Sequence, residues 1–368
     1  MENIYDYLDK YGNKTFDEVE YTEIDNLVFT QISYLNFNNI VSFNEDKIKL
    51  NDAYNKFITK KYKHVSRKRL NIFKTIKDMK RYKDLLLSNY IYKLTEEEQF
   101  GALSIDINEN LRCVVFEGTD DTIVGWKEDF TMSYLSVIPS AKDATNYLNK
   151  VSKYTKKLII TGHSKGGYLS LISAINSNFF TKMKIEKIYS LDGPGIKKEE
   201  LNSRKFNSIK NKYIKIIPKC SIIGRLFYDI DNPIICDAKA IGLLGHSVFT
   251  WVLEDKQFKR SELTKLSIDL DNNFTSWIES YSEDEIKYFC NYIFLLLDRF
   301  NFKMVYDLKN IDSNTYLEIL KYIKNTDPKV KKMLEEFLSF IKAYYKDDIG
   351  KKISPIFSIY DKLRSKEI

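Results

Sequence analysis

The stretch Leu158-Ile159-Ile160-Thr161-Gly162-His163-Ser164-Lys165-Gly166-Gly167-Tyr168-Leu169-Ser170-Leu171-Ile172 decides the fold. An apolar β-type run leads into Gly162-His163-Ser164-Lys165-Gly166, and a helical pattern leads out of it. Strand, G-x-S-x-G, helix is the signature of a nucleophile elbow, a sharp turn that lifts a serine hydroxyl above the edge of a sheet. Glycines flank the serine because so tight a turn excludes ordinary side chains. The helix N-terminus behind the serine favours negative charge developing there. The pentapeptide alone recurs by chance in long chains; its flanking strand and helix make it specific.

Around this stretch, from 98 to 255, short β-type runs alternate with helical segments. Strands are predicted at 102–107, 112–116, 157–161, 187–191 and 213–217, and helices near 141–154, 164–178 and 198–208. That alternation implies an α/β fold, a mostly parallel sheet covered by helices on both faces. The polar turn Asn108-Glu109-Asn110 predicts an antiparallel hairpin of the first two strands at the edge of the sheet. Residues 1–90 read as helical, with Ile24, Leu27, Val28, Ile32 and Leu35 at helical spacing and a Thr22/Asp25 cap. Residues 259–368 return to helix: Ser282 and Glu285 form a capping box, and Asp327-Pro328 starts a helix. Its stripe of Val330, Met333, Leu334, Phe337, Leu338 and Ile341 reads as core packing. The expected organisation is an N-terminal helical extension (1–90), an α/β core (91–258) and a C-terminal helical region (259–368), packed as one compact unit.

A chain of 368 residues, 43% hydrophobic and 14% aromatic, is ample for a large core. Its net charge of +7 is modest beside 51 acidic residues, and no nucleic-acid motif accompanies it. Nucleic acid is therefore not an expected partner, whereas weak attraction to an anionic membrane surface is compatible with the charge. The basic run from Lys60-Lys61-Tyr62-Lys63-His64 to Arg67-Lys68-Arg69 reads first as a solvated face or loop and second as a contact for phosphate head groups or an acidic partner. Cys113, Cys220, Cys236 and Cys290 are scattered without metal-ligand spacing and read as buried thiols in a reducing compartment. No signal peptide is visible at the N-terminus, and the apolar stretch 288–297 is too short to span a bilayer. The expectation is a soluble cytoplasmic protein with no cofactor and no metal. Asp269-Leu270-Asp271-Asn272-Asn273 fails as a calcium loop, because Phe274 stands where the glycine belongs.

A serine nucleophile needs a histidine base, and only three histidines exist. His163 sits inside the elbow and reads as a packing and hydrogen-bonding residue. His64 precedes the sheet. Only His246, in Gly245-His246-Ser247, satisfies the chain order serine, acid, histidine that accompanies this elbow. The acid must then lie between Ser164 and His246, where Asp192, Asp229, Asp231 and Asp237 stand. The loop after the strand at 213–217, the usual place for the acid, reads Pro218-Lys219-Cys220-Ser221 and holds no carboxylate. Asp192 ends the preceding strand in the turn Asp192-Gly193-Pro194-Gly195, on the ligand side of a parallel sheet, and is the first choice. Asp229 and Asp231 are the reserve. The oxyanion hole needs two backbone N–H groups, assigned to Lys165 and to Thr119 in the loop Phe116-Glu117-Gly118-Thr119-Asp120.

Phe116-Glu117-Gly118-Thr119, Gly125-Trp126-Lys127-Glu128-Asp129-Phe130 and the Gly162–Gly167 segment together resemble the class 3 (fungal-type) lipases of the α/β-hydrolase superfamily. A bacterial lipase-like family is similar over more of the chain. It shares Ile4-Tyr5-Asp6-Tyr7-Leu8, Leu191-Asp192-Gly193-Pro194-Gly195, the 217–224 stretch, and Gly245-His246 before Trp251. The resemblance covers about two thirds of the chain. It departs from the class 3 pattern at Glu117, where an arginine is usual, and in the missing aspartate after 213–217. It implies an α/β-hydrolase fold and hydrolysis of acyl esters but no particular substrate; the basic run and the aromatic content are what suggest a lipid or phospholipid ester. The alternative is a hydrolase-fold binding module that has lost efficient catalysis.

Overall fold

A computed structural model of the protein describes residues 2–60, 65–309, 311–344 and 361. His64 and most of the basic run before Arg67 lie outside the described residues. The chain divides into two compact units. One comprises residues 1–119 and 136–268, the other 120–135 and 269–368. The sequence-based boundaries at 90 and 258 do not coincide with this division: the N-terminal helices share a unit with the sheet, and 120–135 groups with the C-terminal helices.

The first unit is built on an eight-stranded sheet whose strands lie side by side in chain order. They are β1 (Ile48–Lys49), β2 (Leu86–Leu94), β3 (Gln99–Asp106), β4 (Leu111–Phe116), β5 (Lys157–His163), β6 (Ile185–Leu191), β7 (Tyr213–Pro218) and β8 (Ile234–Cys236). β1 to β4 pair antiparallel, and β4 to β8 pair parallel. The expected hairpin is β3–β4, with Leu111 N–H closing the turn on Asn108 Oδ1 at 2.9 Å. It does not lie at the sheet edge, because β1 and β2 extend the sheet beyond it. β2 falls partly inside the segment read as helical. Its sequence, Leu-Leu-Ser-Asn-Tyr-Ile-Tyr-Lys-Leu, has a register shift between Ser88 and Ile91, and this break hides the two-residue alternation.

Side chains alternate between the two faces of the sheet. On one face Cys113, Val115, Ile159 and Leu191 join a core with the helices Ile4–Tyr11 and Glu23–Ser33. The second of these helices starts at the expected capping box of Thr22 and Asp25. Arg81 reaches the same carboxylate, donating to both Asp25 oxygens at 2.8 and 2.6 Å, with both side chains fully buried. The opposite face packs on the helices Pro139–Val151 and Lys165–Asn176: Ser104 bonds Tyr147 at 2.9 Å, and the Phe116 and Tyr147 rings lie 6.0 Å apart. The sheet is thus covered on both faces, as the alternation of elements predicts.

The second unit is helical. Its helix Glu283–Arg299 begins at the expected Ser282/Glu285 capping box, and the helix Pro328–Tyr344 begins with proline behind Asp327. Val330, Met333, Leu334 and Leu338 are buried in the core of this unit with Phe289 and Phe294. All four cysteines are free and buried. No helix among the described residues is long and apolar enough to cross a membrane.

Candidate active site

β5 and β6 end side by side, with His163 paired to Leu191 as the last step of their register. Each strand is followed by a residue in left-handed backbone: Ser164 at φ 59°, ψ −132°, and Asp192 at φ 49°. The ladder continues through both, since Ser164 N–H donates to Leu191 O at 3.0 Å and Asp192 N–H to Ile216 O at 2.8 Å. Ser164 caps the helix Lys165–Asn176, which leads its chain away from the sheet edge. The turn is closed so tightly that a Cβ at Gly162 would lie 2.1 Å from the Gly166 carbonyl carbon. A Cβ at Gly166 would lie 2.2 Å from Phe116 O. Strained backbone of this kind costs about 1–3 kcal/mol and persists only where the surroundings enforce it.

His246 is carried on the short 3-10 turn Gly242–His246. Trp251 pins that turn from below, its buried indole N–H donating to Gly245 O at 2.8 Å. The His246 Nδ1–H donates to Asp192 Oδ2 at 2.6 Å. Asp192 is fully buried, whereas the His246 side chain is 23% exposed. The other carboxylate oxygen, Oδ1, accepts from Ser221 Oγ at 2.5 Å and from Gly224 N–H at 3.1 Å. A Cβ at Gly224 would sit 2.3 Å from that oxygen, so the approach depends on glycine. Three donors fix the carboxylate, and the carboxylate fixes the imidazole tautomer with Nε2 as the basic nitrogen. Asp229 is otherwise engaged, accepting from Lys215 Nζ and from Tyr213 OH at 3.1 Å. Asp237 pairs with Lys219 at 2.7 Å and Lys259 at 3.3 Å. Of the aspartates weighed from the sequence, Asp192 is the one whose carboxylate meets His246.

His163 packs and hydrogen-bonds within the elbow, as read from the sequence. Its Nε2–H donates to the carbonyl oxygen of His246 at 2.9 Å, which leaves Nδ1 to accept from Tyr34 OH at 3.1 Å. The two histidine rings lie 4.4 Å apart, tilted by 31°. Burial, reinforced by the neighbouring His246 and Arg69, pushes the His163 pKa well below the usual histidine range, so the ring is neutral at pH 7. Arg69 stacks over the Tyr34 ring at 3.6 Å, so the last helical residue named in the basic run braces the elbow from behind. Ser221, Gly224 and Trp251 entered the sequence reading only as parts of the resemblance, with no role assigned, and Tyr34 did not enter it. The loop dismissed for lacking a carboxylate supplies the donors that hold one.

The oxyanion candidates lie on neighbouring backbone. Gly118, one residue before Thr119, approaches the elbow so closely that a Cβ there would lie 2.5 Å from His163 O and 2.0 Å from Tyr34 OH. The Lys165 side chain is buried, and its Nζ donates to Gln99 O at 2.7 Å and Gln99 Oε1 at 2.5 Å, tying the first helical residue to β3. Glu117, in the place of the usual arginine, is buried with its carboxylate against Gly101.

Comparison with known proteins follows the same line. The profile of the Mbeg1-like family, a lipase-like family, matches residues 76–295. The chain belongs to the Mbeg1-like family. Among solved structures, M37 lipase is 16% identical, with a TM-score of 0.37 over 56% of this chain and 70% of that one. The Rhizomucor miehei lipase propeptide complex is 14% identical, with a TM-score of 0.35 over 59% of this chain and 68% of that one. Comparison with curated proteins gives no match. The fold of this Mbeg1-like chain is α/β-hydrolase-like: a mostly parallel sheet between helical layers, with a G-x-S-x-G turn at the carboxyl end of β5.

Proposed function

We propose that this Mbeg1-like protein is a serine hydrolase of carboxylic esters, of the lipase or esterase type. The observation that carries the reading is the 2.6 Å bond between His246 Nδ1 and a buried Asp192, one residue beyond the strand next to the Ser164 elbow. In this reading Ser164 Oγ attacks the ester carbonyl as His246 Nε2 takes its proton. The oxygen of the tetrahedral intermediate takes up the negative charge and accepts hydrogen bonds from the Thr119 and Lys165 N–H groups. His246 returns the proton to the leaving alcohol, and the acyl–Ser164 ester remains. Water, deprotonated by His246, then attacks that ester and frees the carboxylic acid and Ser164. Asp192 stays ionised throughout and stabilises the imidazolium. Acyl esters of lipids are the substrate class that a lipase-like family suggests. Four free thiols, all buried, fit a cytoplasmic, reducing location.

The test is labelling by a fluorophosphonate, which modifies only an activated serine. Wild type should label and hydrolyse p-nitrophenyl esters, and Ser164→Ala should do neither while keeping its thermal melt. A folded wild type that resists the probe would make the protein a binding module on the same fold.

A further inference from the structure

The far end of the sheet carries a feature that the hydrolase reading does not use. The short helix Phe179–Lys184 exposes its apolar side chains: Phe179 is 69% exposed, Phe180 76% and Met183 65%. Tyr154, 55% exposed, projects from the adjoining turn. That turn is tied to the helix by the 2.9 Å bond between Ser152 and Thr181 and by Lys184 Nζ on Ser152 O at 2.6 Å. Isolated exposed apolar residues are ordinary, but four large ones on two joined turns form a patch that marks an interaction site.

Lysines surround the patch. Lys212 Nζ donates to Lys182 O at 3.0 Å, and Lys182 Nζ to Ser208 Oγ at 3.3 Å. Burial, and to a lesser extent the ammonium of Lys205, depresses the Lys182 pKa. Lys153, Lys156 and Lys187 stand exposed around the same edge. Their neighbour Lys157 reaches a carboxylate, Glu186, at 3.4 Å, while Lys182, Lys184 and Lys212 donate to carbonyl and hydroxyl oxygens. Among the described residues, the positive charge here is therefore met by few carboxylates.

We infer that this end of the sheet, at the start of β5, β6 and β7, is a docking face for an anionic phospholipid bilayer, with Phe179, Phe180 and Met183 entering the interface and the surrounding lysines meeting lipid phosphates. The charge is complementary to an anionic leaflet, where each lysine near the surface contributes about a fivefold gain in affinity. Aromatic rings at the tip suit the interfacial zone, where one end of a side chain is apolar and the other wet. A duplex nucleic acid, met through its phosphates, would satisfy the lysines but leave the exposed rings without a role. The face lies at the opposite end of the strands from Ser164, roughly 20 Å along β5 at about 3.3 Å per residue. A docked molecule therefore turns the carboxyl edge of its sheet toward water. The basic run near Arg67, read from the sequence first as a solvated face and only second as a contact for phosphate head groups, is a different surface.

The test is sedimentation of the full chain with phosphatidylcholine vesicles, with and without about 30 mol% phosphatidylserine, at about 0.15 M salt. Binding should require phosphatidylserine. The triple variant Lys153→Glu, Lys156→Glu, Lys187→Glu should weaken it at least a hundredfold, by the roughly fivefold contribution of each lysine. Phe179→Ser with Phe180→Ser should weaken it more than about tenfold, in line with two aromatic side chains withdrawn from an interface. Both variants should keep the wild-type melt, and Ser164→Ala should bind as wild type, which separates this inference from the hydrolase reading. Absence of wild-type binding, binding lost instead in Arg67→Glu with Lys68→Glu, or a lysine effect without a phenylalanine effect would each overturn it, the last in favour of an acidic macromolecule.

Discussion

Asp192→Asn isolates the charge of the acid from everything else that residue does. The left-handed backbone at φ 49° is tolerated by asparagine as readily as by aspartate, so the turn survives. Asp192→Ala would add a strain of about 1–2 kcal/mol and blur the result. The surroundings dictate how the amide sits. Ser221 Oγ and Gly224 N–H both point at the Oδ1 position and need an acceptor there, so the amide oxygen takes that site. The amide NH2 then faces His246 Nδ1 across the 2.6 Å gap that a carboxylate oxygen filled. Imidazole answers by moving its proton from Nδ1 to Nε2, and the nitrogen required as base no longer has a lone pair to offer. In serine enzymes this tautomer error lowers kcat by about 10⁴, equivalent to about 5.5 kcal/mol of barrier. The assay is steady-state hydrolysis of a p-nitrophenyl ester, with thermal melting as the control for folding. The KM should hold while kcat falls by three to five orders of magnitude, an expectation scaled on that same tautomer effect. A folded Asp192→Asn variant within about tenfold of wild-type kcat would refute the assignment of the acid, since tenfold is only about 1.4 kcal/mol.

Three further outcomes follow from the same geometry. Ser164→Gly should be more stable than Ser164→Ala by about 1 kcal/mol in thermal melts, because φ 59°, ψ −132° strains any side-chain-bearing residue, and equal stabilities would remove the strain. Gly166→Ala places a Cβ 2.2 Å from Phe116 O, where both atoms belong to fixed backbone. Urea unfolding should show a loss of at least about 3 kcal/mol, and a loss under about 1 kcal/mol would contradict the tight elbow. His163 has a folded pKa well below its unfolded value near 6.5. Between these two values the unfolded chain binds the proton and the native chain does not, so stability falls as pH drops below about 6.5, by up to about 1.4 kcal/mol per unit. His163→Gln should flatten that slope between pH 7 and 5 relative to wild type, and parallel slopes would sink the claim.

What the sequence made legible was what depends on local pattern. The elbow is a five-residue geometry, and Gly162, Ser164 and Gly166 announce it directly. The Thr22/Asp25 and Ser282/Glu285 caps are local pairs as well, and both occur where they were read. Order along the chain singled out His246, whose ring the structure places against Asp192. The support around the site was not legible, because it is made of residues that carry no chemistry of their own until the fold brings them together. Ser221 is 29 residues from Asp192 in the chain, and Tyr34 is 129 from His163. Their hydroxyls are common polar groups whose partners are set by tertiary contact alone. β2 was missed for a local reason, since its bulge breaks the alternation that marks a strand. β8 is three residues long and offers no period to detect.

The placement of Ser164 and Asp192 one step past the last paired residues of β5 and β6 has a consequence for how activity is lost. The backbone that carries these two residues is spaced by adjacent strands, about 4.8 Å apart, and that spacing persists while the central sheet persists. His246 instead belongs to a single turn of 3-10 helix, anchored by Trp251, His163 and Asp192. Proteins open in separate cooperative pieces, and a short turn of this kind opens at a lower free energy than a central sheet. Heat or denaturant should therefore silence the site by releasing the 237–251 segment while the sheet is still folded. Inactivation would precede the main melting transition, and refolding of that one segment would restore it.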